Sequence, residues 1–149
     1  IKTNIDKLTG DTIYTTTYGR LETAMLGNPV SFRLEKIKQQ ATIEVGVFLA
    51  YHFSPRVMKD SPLKIKLSNG TIVTLYADNT YVGEPYDMAN FSKGFELYAK
   101  YTLDDASIQL LKSNPATLIR FYYNASYIDT DIKKLDQLMI ADAIQLLFK

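Results

Sequence analysis

One histidine and no cysteine set the limits of the chemistry open to this chain of 149 residues. Without cysteine there is no thiolate nucleophile, disulfide, iron–sulfur cluster or cysteine-ligated zinc. With His52 alone, a di-histidine metal site is out of reach. A serine triad would have to take its base from an imidazole flanked by Tyr51 and Phe53 in an apolar run, with Ser54 or a distant serine as nucleophile. No G-x-S-x-G accompanies it, and the seven glycines form neither a dinucleotide fingerprint nor a phosphate loop. Neither metal nor cofactor is expected.

Paired carboxylates are the next possibility, because cleaving a glycosidic bond needs one acid on each side of it. Glu44 interrupts an apolar alternation and Glu96 opens another, so two strands could bring them face to face. A small carboxylate-dependent hydrolase or lyase built on these acids, with Tyr98 or His52 assisting, would need a deep pocket lined by at least two of the four. The same alternation equally turns both acids to solvent from the polar side of their strands. Asp129 and Asp131 form a D-x-D, but neither a glycine nor a downstream glutamate completes a calcium loop. They read instead as a helix cap and a first-turn charge favoured by the helix dipole.

Eleven tyrosines, seven phenylalanines and no tryptophan leave aromatic contact as the main functional signal. Tyrosine suits a binding surface, since its ring is apolar and its hydroxyl hydrogen-bonds, and it is also a good strand residue. In LIRFYYNASYIDTD, Leu118 to Asp131, alternation puts Ile119, Phe121 and Tyr123 on one face and Leu118, Arg120 and Tyr122 on the other. The first set reads as core. Arg120 and Tyr122 are the binding candidates, beside Tyr98 and Lys100 of another strand. Tyr81 and Tyr86 join them from DNTYVGEPYDMANFSK, Asp78 to Lys93, the least regular stretch of the chain. Loops of that length are commonly functional or mobile. The expected binding set is therefore Tyr81, Tyr86, Tyr98, Arg120 and Tyr122, with a protein or a glycan as ligand.

Strands must place these residues. In LKIKLSNGTIVTLY, Leu63, Ile65 and Leu67 alternate with Lys64, Lys66 and Ser68, and Asn69-Gly70 turns the chain. A three-residue loop with Gly70 left-handed sets Ile65 opposite Val73 and Leu63 opposite Leu75, gathering four apolar side chains on one face. A two-residue turn would oppose Ile65 to Thr74 and waste that match. Further strands are expected from Thr12 to Tyr18, around Val30 to Glu35, from Ile43 toward Phe53, from Phe95 to Tyr101 and around Ile119 to Tyr123. Thr102 or Asp104 can cap a short helix that ends at Asn114-Pro115. A broad apolar face predicts a second helix from about Asp131 to Phe148, with Ile132, Leu135, Met139, Ala143 and Leu146 in line and Ile140, Ile144 and Leu147 widening the stripe. Strands first and helices last suggest one α+β domain over residues 1–149. Its expected form is a mostly antiparallel curved sheet or sandwich of about seven strands, with a short helix and a C-terminal helix packed on it.

Seventeen basic against 16 acidic side chains give no field to recruit a polyanion, so nucleic acid is not an expected partner. The longest apolar run, VGVFLAY, is far shorter than the roughly 20 residues that span a bilayer, so no transmembrane segment is expected. The first residue, isoleucine, suggests a processed N-terminus. The lack of cysteine fits a reducing cytosol and a disulfide-free exported setting alike. The succession LKIKLSNGTIVTLY, YTLDDASIQLL and LIRFYY, over about Leu63 to Tyr123, resembles the arrangement in small uncharacterised exported bacterial α+β domains. That resemblance implies a secreted, periplasmic or cell-envelope setting and, since such domains have no assigned catalytic residues, a role other than catalysis. The expected function is a non-catalytic binding or interaction module. Beside it stand the hydrolase or lyase reading and a structural subunit that pairs through a sheet edge or its C-terminal helix.

Overall fold

The computed structural model describes residues 1–21, 30–49, 54–87 and 93–149. Strands dominate, as the alternation and the β-branched and tyrosine content require. Strands β1 (Lys2–Ile5), β2 (Thr12–Thr15) and β3 (Gly19–Leu21) are short, and β4 (Val30–Ile37) and β5 (Gln40–Leu49) form a longer hairpin. β6 (Arg56–Val57) precedes a second hairpin, β7 (Pro62–Leu67) and β8 (Ile72–Tyr76). β9 (Tyr81–Val82), β10 (Glu84–Asp87) and the 11-residue β11 (Lys93–Leu103) follow. Helix α1 (Asp105–Ser113), strands β12 (Ala116–Tyr123) and β13 (Ser126–Asp131), a 3-10 turn at Lys134–Asp136 and helix α2 (Met139–Leu147) complete the order.

The larger sheet runs β1-β2-β4-β5-β11-β10, with β3 beside the first half of β4, and it curls into a half-barrel. The smaller sheet runs β13-β12-β7-β8, and β6 pairs with β9. A bridge between Ala77 and Tyr101 ties the end of β8 to β11, so the two sheets close on one core. Ile43, Val45, Leu97 and Tyr101 of the larger sheet and Leu63, Ile65, Ile119 and Phe121 of the smaller are all 0% exposed. Each such burial contributes about 1.5–3 kcal/mol. The rings of Tyr101 and Phe121 meet edge to face between the sheets, 6.4 Å apart. The Tyr101 hydroxyl has no hydrogen-bond partner among the described residues, and burial pushes its phenol well above the usual value.

The β7–β8 hairpin takes the register that patterning predicts. Leu63 faces Leu75, Ile65 faces Val73, and Gly70 lies at φ 86°, where a side chain would be strained. Helix α1 starts where expected: the Asp104 carboxylate accepts from the Ser107 amide at 2.7 Å, and this bond holds its carboxyl below the ordinary range.

Three expectations are corrected. Of the stretch from Asp78 to Lys93 expected as an irregular loop, residues 88–92 lie outside the described residues, and the part before them is largely strand: β9 pairs with β6 and β10 pairs with the start of β11. β6 lies far before β9 in sequence, where local periodicity cannot see it, whereas β10 folds back onto the adjacent β11 and its four residues, Glu-Pro-Tyr-Asp, carry no apolar alternation. The helix predicted from Asp131 to Phe148 begins only at Met139, and Ser126–Asp131 is a strand, turned back onto β12 at Asn124, whose φ of 49° asparagine tolerates. The stripe is also rotated: Ile140, Ile144 and Leu147 are buried while Leu135 is 94% exposed. Finally, the described residues hold 13 strands rather than about seven, several of them two to four residues long. With two helices of nine residues each, the molecule is a sheet-rich antiparallel fold to which the α+β label applies loosely. No helix among the described residues is long and apolar enough to cross a membrane.

Candidate functional site

Residues paired across antiparallel strands share a face, so the registers define a grid on the outer side of the larger sheet. Arg33, Glu44 and Lys100 form one row, Ser31, Gly46 and Tyr98 the next, and Phe48, Glu96 and Glu84 a third. Tyr18, just before β3, reaches the first row. Its hydroxyl donates to Glu44, while Arg33 bonds the same carboxylate oxygen at 3.1 Å and stacks 4.7 Å over the Tyr18 ring. Burial, and then the bond to Glu44, pushes the Tyr18 phenol up to about 12. The Glu44 side chain is 13% exposed, so this three-membered cluster is partly desolvated and fixes the ring of Tyr18.

Glycine shapes the second row. A Cβ on Gly46 would stand 2.2 Å from the Tyr98 ring and 2.7 Å from Ser31 Oγ, so the ring lies across β5 in space that any side chain would fill. Gly94 serves Phe48 the same way, with 2.3 Å between a notional Cβ and the ring. Tyr18 meets Tyr98 edge to face at 6.0 Å, and Phe48 meets Tyr86 edge to face at 5.4 Å. Between Tyr18, Tyr98 and Phe48 lies an open cleft of about 270 Å³, bordered by Arg20, Ser31 and Glu96. It offers aromatic surface, one cation, one carboxylate and a hydroxyl.

The five expected binding residues do not gather at one place. Tyr98 and Tyr86 lie on the outer face of the larger sheet, 38% and 44% exposed. Tyr81 packs against the core and donates its hydroxyl to Asp78. Arg120 and Tyr122 stand on the smaller sheet, not beside Tyr98. There Arg120 forms two bonds to Asp129, 2.6 and 2.7 Å, and lies 4.0 Å over the Tyr127 ring, which in turn tilts against Tyr122. The guanidinium is thus occupied by its own hairpin. Asp129, expected at a helix start, is its strand partner.

Glu44 and Glu96 share a face but sit four residues apart along the strand direction, about 13 Å at the backbone. Paired glycosidase carboxylates stand roughly 5–9.5 Å apart. Glu44 is moreover held by Arg33 and Tyr18. His52 lies outside the described residues, and Ser54 donates to the Gly83 carbonyl at 2.9 Å. Among the described residues no group of three His, Asp or Glu could hold a metal.

Sequence reasoning missed Tyr18, Arg33, Gly46 and Phe48. One signal was present: Gly46 is an isolated glycine within the run IEVGVF, and a glycine inside a strand marks close approach of another group. Comparison with protein-family models, with curated proteins and with solved structures gave no match.

Proposed function

We propose that the protein is a non-catalytic binding module whose ligand site is the cleft of Tyr18, Tyr98 and Phe48 on the outer face of the larger sheet. One observation carries this reading: Tyr98 is laid over Gly46, and Tyr18 is clamped by Arg33 and Glu44, so aromatic surface is held in place on a face that contributes little to the core. Rings ordered before binding lose little freedom on contact, which is what makes tyrosine effective at interfaces. The separation of Glu44 from Glu96, and the bonds that occupy Glu44, weigh against a carboxylate-pair hydrolase or lyase. In keeping with the resemblance of Leu63 to Tyr123 to exported bacterial domains, the setting proposed is secreted or envelope-associated.

Saturation-transfer NMR with a mixture of neutral sugars, amines, organic acids and short peptides tests this. Signals are expected with the wild type and are expected to vanish with Tyr98→Ala. Equal signals from both proteins, or none from either, would contradict the reading.

A second reading, a subunit pairing through a sheet edge, has one observation in its favour. Every residue of the edge strand β1 is exposed, and the turn beyond it carries Leu8 at 98% exposure. Light scattering after size exclusion checks it: a monomer at high concentration rules it out.

A further inference from the structure

We infer that the cleft takes a neutral saccharide, with a pyranose ring stacked on Tyr98; this rests on the cleft being the ligand site. The charge pattern is the main reason. Arg20 and Glu96 border the cleft with opposite signs, and among the described residues neither is in an ion pair. A cationic ligand would meet Arg20 and an anionic one would meet Glu96. A polyhydroxylated neutral ligand satisfies both: its hydroxyl hydrogens go to the carboxylate, which only accepts, and its oxygens take the guanidinium N–H groups, which only donate. Bonds to charged groups are about twice as strong as neutral ones, which suits a ligand that must give up its hydration.

The aromatic surface fits the same ligand. The axial C–H groups of a pyranose are apolar and slightly positive, and they match the negative face of a tyrosine ring. Tyr98 rests on Gly46 yet stays 38% exposed, and Ser31 Oγ lies beside it as a further polar contact. A volume of about 270 Å³ is just below the roughly 300–1,000 Å³ of sites for drug-sized ligands. That is room for one sugar ring, and the open shape lets a longer chain run on.

Isothermal titration with cellotetraose, xylotetraose, tetra-N-acetylchitotetraose and maltotetraose, and separately with lysine methyl ester and with acetate, tests the inference. At least one tetrasaccharide is expected to bind the wild type, and Tyr98→Ala to abolish it. Glu96→Gln, which keeps the shape of an outer-face side chain, is expected to weaken it by about tenfold or more. Arg20→Gln is expected to act in the same direction. Tetrasaccharide binding that is indifferent to all three changes overturns the inference, and so does the absence of tetrasaccharide binding. Binding of lysine methyl ester or acetate alone, lost in Tyr98→Ala, overturns the saccharide assignment while leaving the cleft as the ligand site.

Discussion

Gly46 and Tyr98 act as one unit, because the ring occupies the volume in which a Cβ would stand. Gly46→Ala should therefore push the ring off the strand without disturbing the core, since the other close atom, Ser31 Oγ, also belongs to an outer-face side chain. The expected change in stability is below about 1 kcal/mol, because alanine is no worse than glycine in a strand and the lost ring packing offsets any gain. Ligand binding should fall as far as in Tyr98→Ala. Denaturant unfolding together with titration separates the two effects. At the opposite face, Tyr101 buries a hydroxyl without a partner among the described residues. An unmade hydrogen bond costs more than an absent one, so Tyr101→Phe is expected to be neutral or to stabilise by up to about 1 kcal/mol. Urea unfolding would reveal the opposite sign if the hydroxyl contributes a bond.

Among the elements, the β12–β13 hairpin was the hardest to read from sequence. Ile128, Thr130 and Ile132 alternate with Tyr127, Asp129 and Asp131, but the apolar positions of α2 follow so closely that a helical stripe can be drawn back through Ile132. What decides the matter is pairing with β12, including the two bonds between Arg120 and Asp129. These bonds hold the Asp129 carboxyl below the ordinary range, so its contribution is present at neutral pH and is lost as pH falls through that lowered value. Asp129→Asn should lower the melting temperature at pH 7 and make little difference once the pH is well below the usual carboxylate value of roughly 4. Both side chains are 34% exposed, so the effect is small and shrinks with salt. An unchanged melting temperature at pH 7 and low salt would show that the pair contributes nothing. By contrast, the β7–β8 hairpin was legible down to its register, because four apolar residues and a glycine allowed only one good match. The short pair β6–β9 was not, since it depends on a partner brought near by the rest of the fold, and neither was β10, whose Glu-Pro-Tyr-Asp has no apolar alternation and contains a proline.

At the scale of the whole molecule, two curved sheets share one core and each keeps a second face for other purposes. The smaller sheet uses its outer face on itself, in the stack of Arg120, Asp129, Tyr127 and Tyr122. The larger sheet leaves a cleft. Tyr86 and Tyr98 could be named from sequence as exposed aromatics, but the cleft could not, because Tyr18, Ser31, Gly46 and Phe48 come from three separate stretches and meet only through strand register. The assignment of that cleft is tested most directly by an amide chemical-shift map of the isotope-labelled protein, titrated with the probe that gives the strongest saturation-transfer signal. The largest shifts are predicted at Ser31, Gly46 and Tyr98, with β12 and β13 unmoved. Shifts centred instead on Arg120, Tyr122 and Tyr127, or along β1, would contradict it.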